Sequence, residues 1–412
     1  MNNENKIRDV DFPVHDWYRF VLSFPPHLVQ DYIEKFDIRK SDVVLDPFCG
    51  TGTTNVECKK HGIASIGIEA NLIAYFASTT KCTWNADADQ MYLEAIKIAN
   101  ETIIKIKNNT KLRGLTEEQN KLIIKNSICD KPLNEVLILK ETILAAHSKY
   151  ENYFLLALAK NIVYSYSNIK FGPEIGISRK KKYDVDVVSI WIDQISVMKK
   201  DLQKYIFLSD TMSDIINGDA RSISKLPIKR KVNFVITSPP YPNEKDYSRT
   251  TRLESVLLDY INNKEQLRSM KKQFIRSNTK NVYKEDDDFR YVENIDSISK
   301  LSQEIEEKRI ELGKTSGFEK LYSRVVKLYF GGMARHFTEL KSILEKDARL
   351  AYVVGDQASY FNIPIRTAKL LAEIAENVGY KVENIEPFRK RYATRTNTWL
   401  NEEVLILKYL GD

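Results

Sequence analysis

One short apolar run that breaks into a glycine-rich turn limits this chain to a few folds. Val43-Val44-Leu45 stops at Asp46, Pro47-Phe48-Cys49-Gly50-Thr51-Gly52-Thr53-Thr54 follows, and a helix-compatible stretch then reaches His61. Glycines at such a corner let the backbone approach a ligand closely, and the helix behind it presents unpaired N–H groups. The same succession recurs. Residues 63–68 form a second strand candidate ending at Glu69, and Ile215-Ile216 a third ending at Gly218-Asp219. Residues 232–236 form a fourth that runs into Ser238-Pro239-Pro240, and 350–354 a fifth before Gly355-Asp356. Strands alternating with helices predict an α/β chain, a parallel sheet with helices on both faces. Ligands of such sheets bind at the carboxyl ends of the strands, where each of these runs meets its polar turn.

The rest of the chain departs from that alternation. A helix is expected over 364–378, and the runs 380–385 and 404–407 then make an antiparallel pair at one sheet edge, joined through a basic, aromatic loop at 388–395. Residues 87–209 read as mostly helical, with candidates at 91–106, 133–146, 152–166 and 187–206. They are interrupted by 169–174 and by Arg179-Lys180-Lys181-Lys182. Residues 246–332 are charged and helix-rich, and a helix over 320–345 returns to the fifth strand. The expected organisation is therefore 1–86 as the N-terminal part of the sheet domain and 87–209 as a helical insertion and candidate target-recognition region. The C-terminal part is 210–412, with a second helical insertion at about 246–332.

Composition narrows the classes. A content of 43% hydrophobic and 29% charged residues in 412 fits a globular protein with a sizeable core. The net charge of +7 leans towards a polyanionic partner. Cys49, Cys58, Cys82 and Cys129 form no CxxC pair and no zinc spacing, which predicts reduced thiols and a cytoplasmic protein. His15, His27, His61, His147 and His336 show no metal spacing either; surface or capping roles are expected of them, and no metal. The polar first ten residues predict no secretory leader, and no apolar stretch is long enough for a bilayer.

Three strand ends carry groups suited to an adenosine-containing cofactor. Asp46, Phe48, Gly50, Thr51, Gly52 and Thr53 belong to the turn that the ligand approaches, with Phe48 as an apolar face. Glu69 ends the next strand, where an acid can take two ribose hydroxyls. Asp219 can accept from an adenine amino group. A dinucleotide fingerprint needs a third glycine where this chain has Asn55, and a P-loop needs a Gly-Lys-Ser/Thr ending that is absent. S-adenosylmethionine is the remaining common ligand.

The second constellation is Ser238-Pro239-Pro240-Tyr241. Each proline fixes its own φ and restricts the residue before it, which makes a stiff extended corner. Prolines lack an N–H, so local carbonyls stay available as acceptors. The Ser238 hydroxyl and the Pro239 carbonyl can hold the two hydrogens of an exocyclic amine, and Tyr241 offers a face for an extruded base.

Together the two segments resemble those of the DNA amino-methyltransferases, which make N4-methylcytosine or N6-methyladenine from S-adenosylmethionine. Residues 46–53 look like the family's cofactor motif and 238–241 like its catalytic motif. The resemblance implies a Rossmann-like methyltransferase sheet. It favours cytosine N4, because Ser-Pro-Pro-Tyr is the version more usual among cytosine-N4 enzymes. It makes Glu69 and Asp219 the ribose and adenine acids. Ser23-Phe24-Pro25-Pro26-His27-Leu28 then looks like the segment placed against the cofactor's methionine end, with Pro26 and His27 in contact. The family often places this cofactor motif after the proline motif; here it comes first.

Such an amine attacks the methyl sulfonium directly. A C5-cytosine methylase would need a cysteine nucleophile in a Pro-Cys context, which all four cysteines lack. Double-stranded DNA is the expected substrate, with a restriction endonuclease as companion and the target base flipped from the stack. Lys245, Tyr247, Arg249 and Arg252, just past the corner, are candidates for one wall of the base pocket. Arg389, Lys390, Arg391 and Arg395, interleaved with Phe388 and Tyr392, are candidates for phosphate contacts. Related polar-Pro-Pro-aromatic corners also occur in enzymes acting on RNA or on protein amides, and a binding module that has lost catalysis is the reading from another class.

Overall fold

The computed structural model describes residues 8–20, 23–172, 175–393 and 397–411. Its central sheet has seven strands: β1 (Val43–Asp46), β2 (Ala64–Glu69), β3 (Ser213–Asn217), β4 (Val232–Thr237), β5 (Leu344–Gly355), β6 (Tyr380–Ala393) and β7 (Thr398–Tyr409). Their order is β3-β2-β1-β4-β5-β7-β6, parallel throughout except for β7, which runs antiparallel to both neighbours. The chain moves outward from β1 through β2 to β3, then returns to place β4 on the other side of β1. That reversal is a topological switch point, and it opens a crevice above the ends of β1 and β4.

Period-two alternation sorts the strand residues between two cores. Val43 and Leu45 of β1 join Val235, Leu350 and Tyr352 against the helices α4 (Tyr322–Leu340) and α5 (Thr367–Val378). Val44 points the other way and joins Ile236, Ala351, Val353, Val404 and Ile406 against the helix Pro26–Lys35. A third core, rich in Trp191, Phe154 and Leu158, lies in the helices of 87–209 and also takes in Val56, Ile73, Phe76 and Trp84. Those helices span Ala88–Asn108, Asp130–Ala145, Glu151–Asn161 and Val187–Tyr205. The first is capped by Asp87, whose side chain accepts from the amides of Asp89 and Gln90.

Four local expectations need correction. The basic segment at 388–395 is not a loop: through Ala393 it continues β6, paired with β7 from Leu400 opposite Arg391 to Glu402 opposite Arg389. The helix expected over 364–378 begins at Thr367, because Ile365 is drawn into an isolated bridge with Gln357. The helix expected over 320–345 ends at Leu340, and Leu344 already pairs with Val232. The fifth strand is accordingly longer, and its charged first half hid it from an apolar-run reading.

No described helix is long and apolar enough to cross a membrane. Among the described residues, no group of three or more His, Cys, Asp or Glu could hold a metal ion.

Candidate active site

Leu45 lies opposite Val235, so Asp46 and Thr237 end their strands side by side. Thr237 Oγ1 donates to Asp46 Oδ1 at 2.6 Å, and the Phe48 amide donates to the same oxygen at 3.1 Å. Thr54 Oγ1 adds a bond to the Ile236 carbonyl at 3.0 Å. Asp46 is fully buried behind the turn, and burial pushes its carboxyl up to about 6. It therefore does not line the cavity in front of the turn; it ties the two turns together.

That cavity, of about 310 Å3, is walled by Phe48, Gly50 and Thr53 on one side and by Ser238, Pro239, Pro240 and Tyr241 on the other. Glu69 and Asp219, at the ends of β2 and β3, line it too. Gly50 has φ +52°, and a Cβ there would meet no atom within 4 Å, so the space beside the turn is open. Glu69 accepts from the Gly50 amide at 2.8 Å and from the Asn71 amide at 2.7 Å, which fixes both carboxylate oxygens. Burial pushes Glu69 up to about 7. Asp219 is turned towards Arg221, whose Nη2 donates to it at 2.7 Å; Arg221 Nη1 in turn donates to the buried Asp288 at 2.5 Å.

The corner itself is braced from two sides. The Tyr241 amide donates to Tyr247 Oη at 2.9 Å, and Ser238 Oγ lies 3.5 Å from Tyr241 Oη. A Cβ on Gly355 would come within 3.0 Å of the Tyr241 ring, so β5 must end in glycine for the ring to lie there. Burial raises the Tyr241 hydroxyl well above its ordinary value, with the Glu402 charge adding to it, so the group is a neutral donor at neutral pH.

Several expected contacts fall elsewhere. Thr51 is buried and does not face this cavity; it lines a small neighbouring one with Pro26. Gly52 faces α3 (Leu72–Lys81): with φ +80°, its Cβ would meet Ser78 Cβ at 3.0 Å. His27 is buried, 3.5 Å from Asp11, away from both cavities. Lys245 and Tyr247 line the large cavity, whereas Arg249 and Arg252 do not. Arg252 Nη2 donates to Ser248 Oγ at 2.7 Å inside a network with Asp246 and Lys271. Arg389 and Arg391 line the cavity and Lys390 is exposed on the other side of β6, as strand alternation requires. Arg389 forms a two-bonded pair with Glu402. Arg395 lies outside the described residues. Nor are the histidines all surface groups: His15, His27 and His336 are buried. His336 sits between the Ala220 carbonyl at 2.9 Å and Tyr352 Oη at 2.6 Å, and burial holds it down at about 4.

The cavity also uses residues that no motif marked. Phe20 and Gln273-Phe274-Ile275 come from distant parts of the chain, and Gln357 and Glu402 from the end of β5 and from β7. No local pattern points to them; only the antiparallel edge pairing could have placed Glu402 opposite Arg389.

Comparison with known proteins fits this geometry. Residues 2–80 match the DNA methylase family that methylates N6 or N4 amino groups. The type II methyltransferase M.BsoBI of Geobacillus stearothermophilus is 26% identical over 418 residues, covering 92% of this chain and 81% of that protein. M.AvaI of Nostoc is 25% identical over 421 residues, covering 90% and 80%. M.MjaII of Methanocaldococcus jannaschii is 43% identical over 56 residues, covering 14% of this chain and 10% of that protein. With both motifs on one cavity, these likenesses identify the chain as an S-adenosylmethionine-dependent DNA methyltransferase of the amino-methylating, N4/N6 type.

Proposed function

We propose that this enzyme methylates the N4 amino group of a cytosine flipped out of double-stranded DNA, as the modification partner of a restriction endonuclease. The observation that carries the reading is the single cavity shared by the glycine turn and the Ser-Pro-Pro-Tyr corner. The residues present fit the cofactor: an open space beside Gly50, a carboxylate held in place at Glu69 and an aromatic face at Phe48. Glu69 would take the ribose hydroxyls, Asp219 the adenine end, and Gly50 and Thr53 the turn against which the ligand lies. Bound there, S-adenosylmethionine supplies an electrophilic methyl group.

The chain's own residues then do three things. Ser238 and the Pro239 carbonyl accept the two amine hydrogens and orient the nitrogen lone pair. Tyr241, Tyr247 and Phe388 supply aromatic surface for the base, which must leave the stack before its amine is free. Held by the stiff proline corner, the carbonyl dipole and the Ser238 hydroxyl are aimed in advance at the nitrogen as it becomes cationic. No covalent bond between enzyme and base is needed. Ser at the first position of the corner favours cytosine over adenine. The resemblance to type II methyltransferases supports a role in restriction–modification.

Single-molecule sequencing of DNA from cells expressing the protein tests this. The expected result is 4-methylcytosine at one short recurrent sequence. 6-Methyladenine at that sequence would overturn the cytosine assignment, and no methylated base at all would overturn the activity.

A further inference from the structure

Lys81, the last residue of α3, is 1% exposed. Its Nζ donates to the Thr51 carbonyl at 2.8 Å and lies 3.4 Å from the Tyr18 carbonyl. Among the described residues no carboxylate forms an ion pair with it; Asp16, whose charge it feels, is held by Lys160 at 2.6 Å. A buried ammonium supported only by carbonyls lacks a counter-charge, and burial pushes Lys81 down to about 7. Two of its three hydrogens have acceptors.

Lys81 also lines the small cavity of about 20 Å3, room for roughly one water or one carboxylate oxygen. Arg19 is on the same wall. Ser23, Phe24 and Thr53 line both cavities, so the small one is a recess beside the larger. Charge is sorted along the site: the acids Asp219 and Glu69 end β3 and β2, and the cations sit beyond the glycine turn. The proposed cofactor has hydroxyls and an amine at its nucleoside end and, at its zwitterionic tail, a carboxylate beside an α-ammonium; the carboxylate is the part that matches the cations.

We propose that Lys81 is the buried cation that receives the α-carboxylate of the cofactor's methionine tail, an assignment that rests on the large cavity being the cofactor site. It acts as a positioning residue: it sets the depth of the tail and hence the place of the sulfonium. A purely architectural Lys81, tying Thr51 to Tyr18, would make no distinction between ligands with and without that carboxylate.

The test is calorimetric binding of S-adenosylhomocysteine and of 5′-methylthioadenosine, which keeps the nucleoside and thioether but lacks the amino acid. Lys81→Met should weaken S-adenosylhomocysteine roughly ten- to a hundredfold and leave 5′-methylthioadenosine unchanged. Equal weakening of both ligands, or no change in either, would overturn the assignment. Should the variant fail to fold, the wild-type protein decides with S-adenosyl-3-thiopropylamine, the decarboxylated analogue. Binding as tight as that of S-adenosylhomocysteine overturns the proposal, and binding at least about tenfold weaker supports it. A wild-type protein that binds neither S-adenosylhomocysteine nor 5′-methylthioadenosine would instead overturn the cofactor reading, and the Lys81 assignment with it.

Discussion

Thr237 Oγ1 donates a 2.6 Å hydrogen bond to Asp46 Oδ1, and that bond joins the ends of the two strands whose turns face the cavity. A buried carboxylate that loses such a donor keeps its desolvation cost with less to offset it, here chiefly the Phe48 amide. Thr237→Val, nearly isosteric, should therefore cost about 1–3 kcal/mol. Urea denaturation reads the stability loss, and S-adenosylhomocysteine titration should show weaker binding as the turns drift apart. Unchanged stability would mean that the bond is not a brace.

Asp46 also predicts a pH dependence. Its folded pKa of about 6 lies above the ordinary 3.8, so the folded chain keeps a proton that the unfolded chain has lost. The sign follows: Asp46 disfavours the fold increasingly as pH rises from about 4 to about 6, and above that its cost is constant. Asp46→Asn removes this titration. The stability of the variant relative to wild type should improve by up to about 3 kcal/mol between pH 4 and pH 8. A difference that does not vary with pH would contradict it.

The two glycines of the turn should fail differently. Gly52→Val places a β-branched side chain at φ +80° against Ser78, so it should destabilise α3 packing by about 2 kcal/mol or more. Gly50→Ala meets no neighbour, and only its φ of +52° costs about 1 kcal/mol. Its methyl group enters the cavity, however, so cofactor affinity should drop more than stability does. Thermal melts with and without S-adenosylhomocysteine separate the two effects.

Ser238→Ala should slow the methyl-transfer step by about tenfold or more while leaving S-adenosylhomocysteine affinity near wild type. Single-turnover transfer of tritiated methyl to plasmid DNA reads the first quantity and calorimetry the second. A variant that loses both equally would place Ser238 in cofactor binding.

The basic residues divide in the same way. Lys390→Ala, on the exposed side of β6, should lower the salt slope of DNA binding by about one. Arg252→Ala should leave that slope alone and lower stability, since its guanidinium is spent on Ser248 and Asp246.

Much of this fold was legible because its strands end in distinctive turns. Val43-Val44-Leu45 is uniformly apolar and residues 232–236 are apolar except for Asn233, as buried parallel strands tend to be, and their turns carry the motifs. β5 was half hidden because Glu345, Lys346 and Asp347 are exposed on its early turns. The stretch 388–393 looked like a loop because three consecutive basic residues leave no apolar alternation to read, yet in the strand Arg389 and Arg391 face the cavity while Lys390 is exposed. Asp46 and Gly52 lie in the motif but serve packing, a distinction that depends on which way each points. Gln273 and Phe274 were illegible, since only the tertiary fold brings an insertion to the cavity edge.

Ultraviolet cross-linking with methyl-tritiated S-adenosylmethionine, followed by peptide mapping, tests the facing of the two turns most directly. Label is predicted on peptides containing Phe48 or Tyr241, and excess S-adenosylhomocysteine should abolish it. Label confined to the helices of 87–209 would contradict the account.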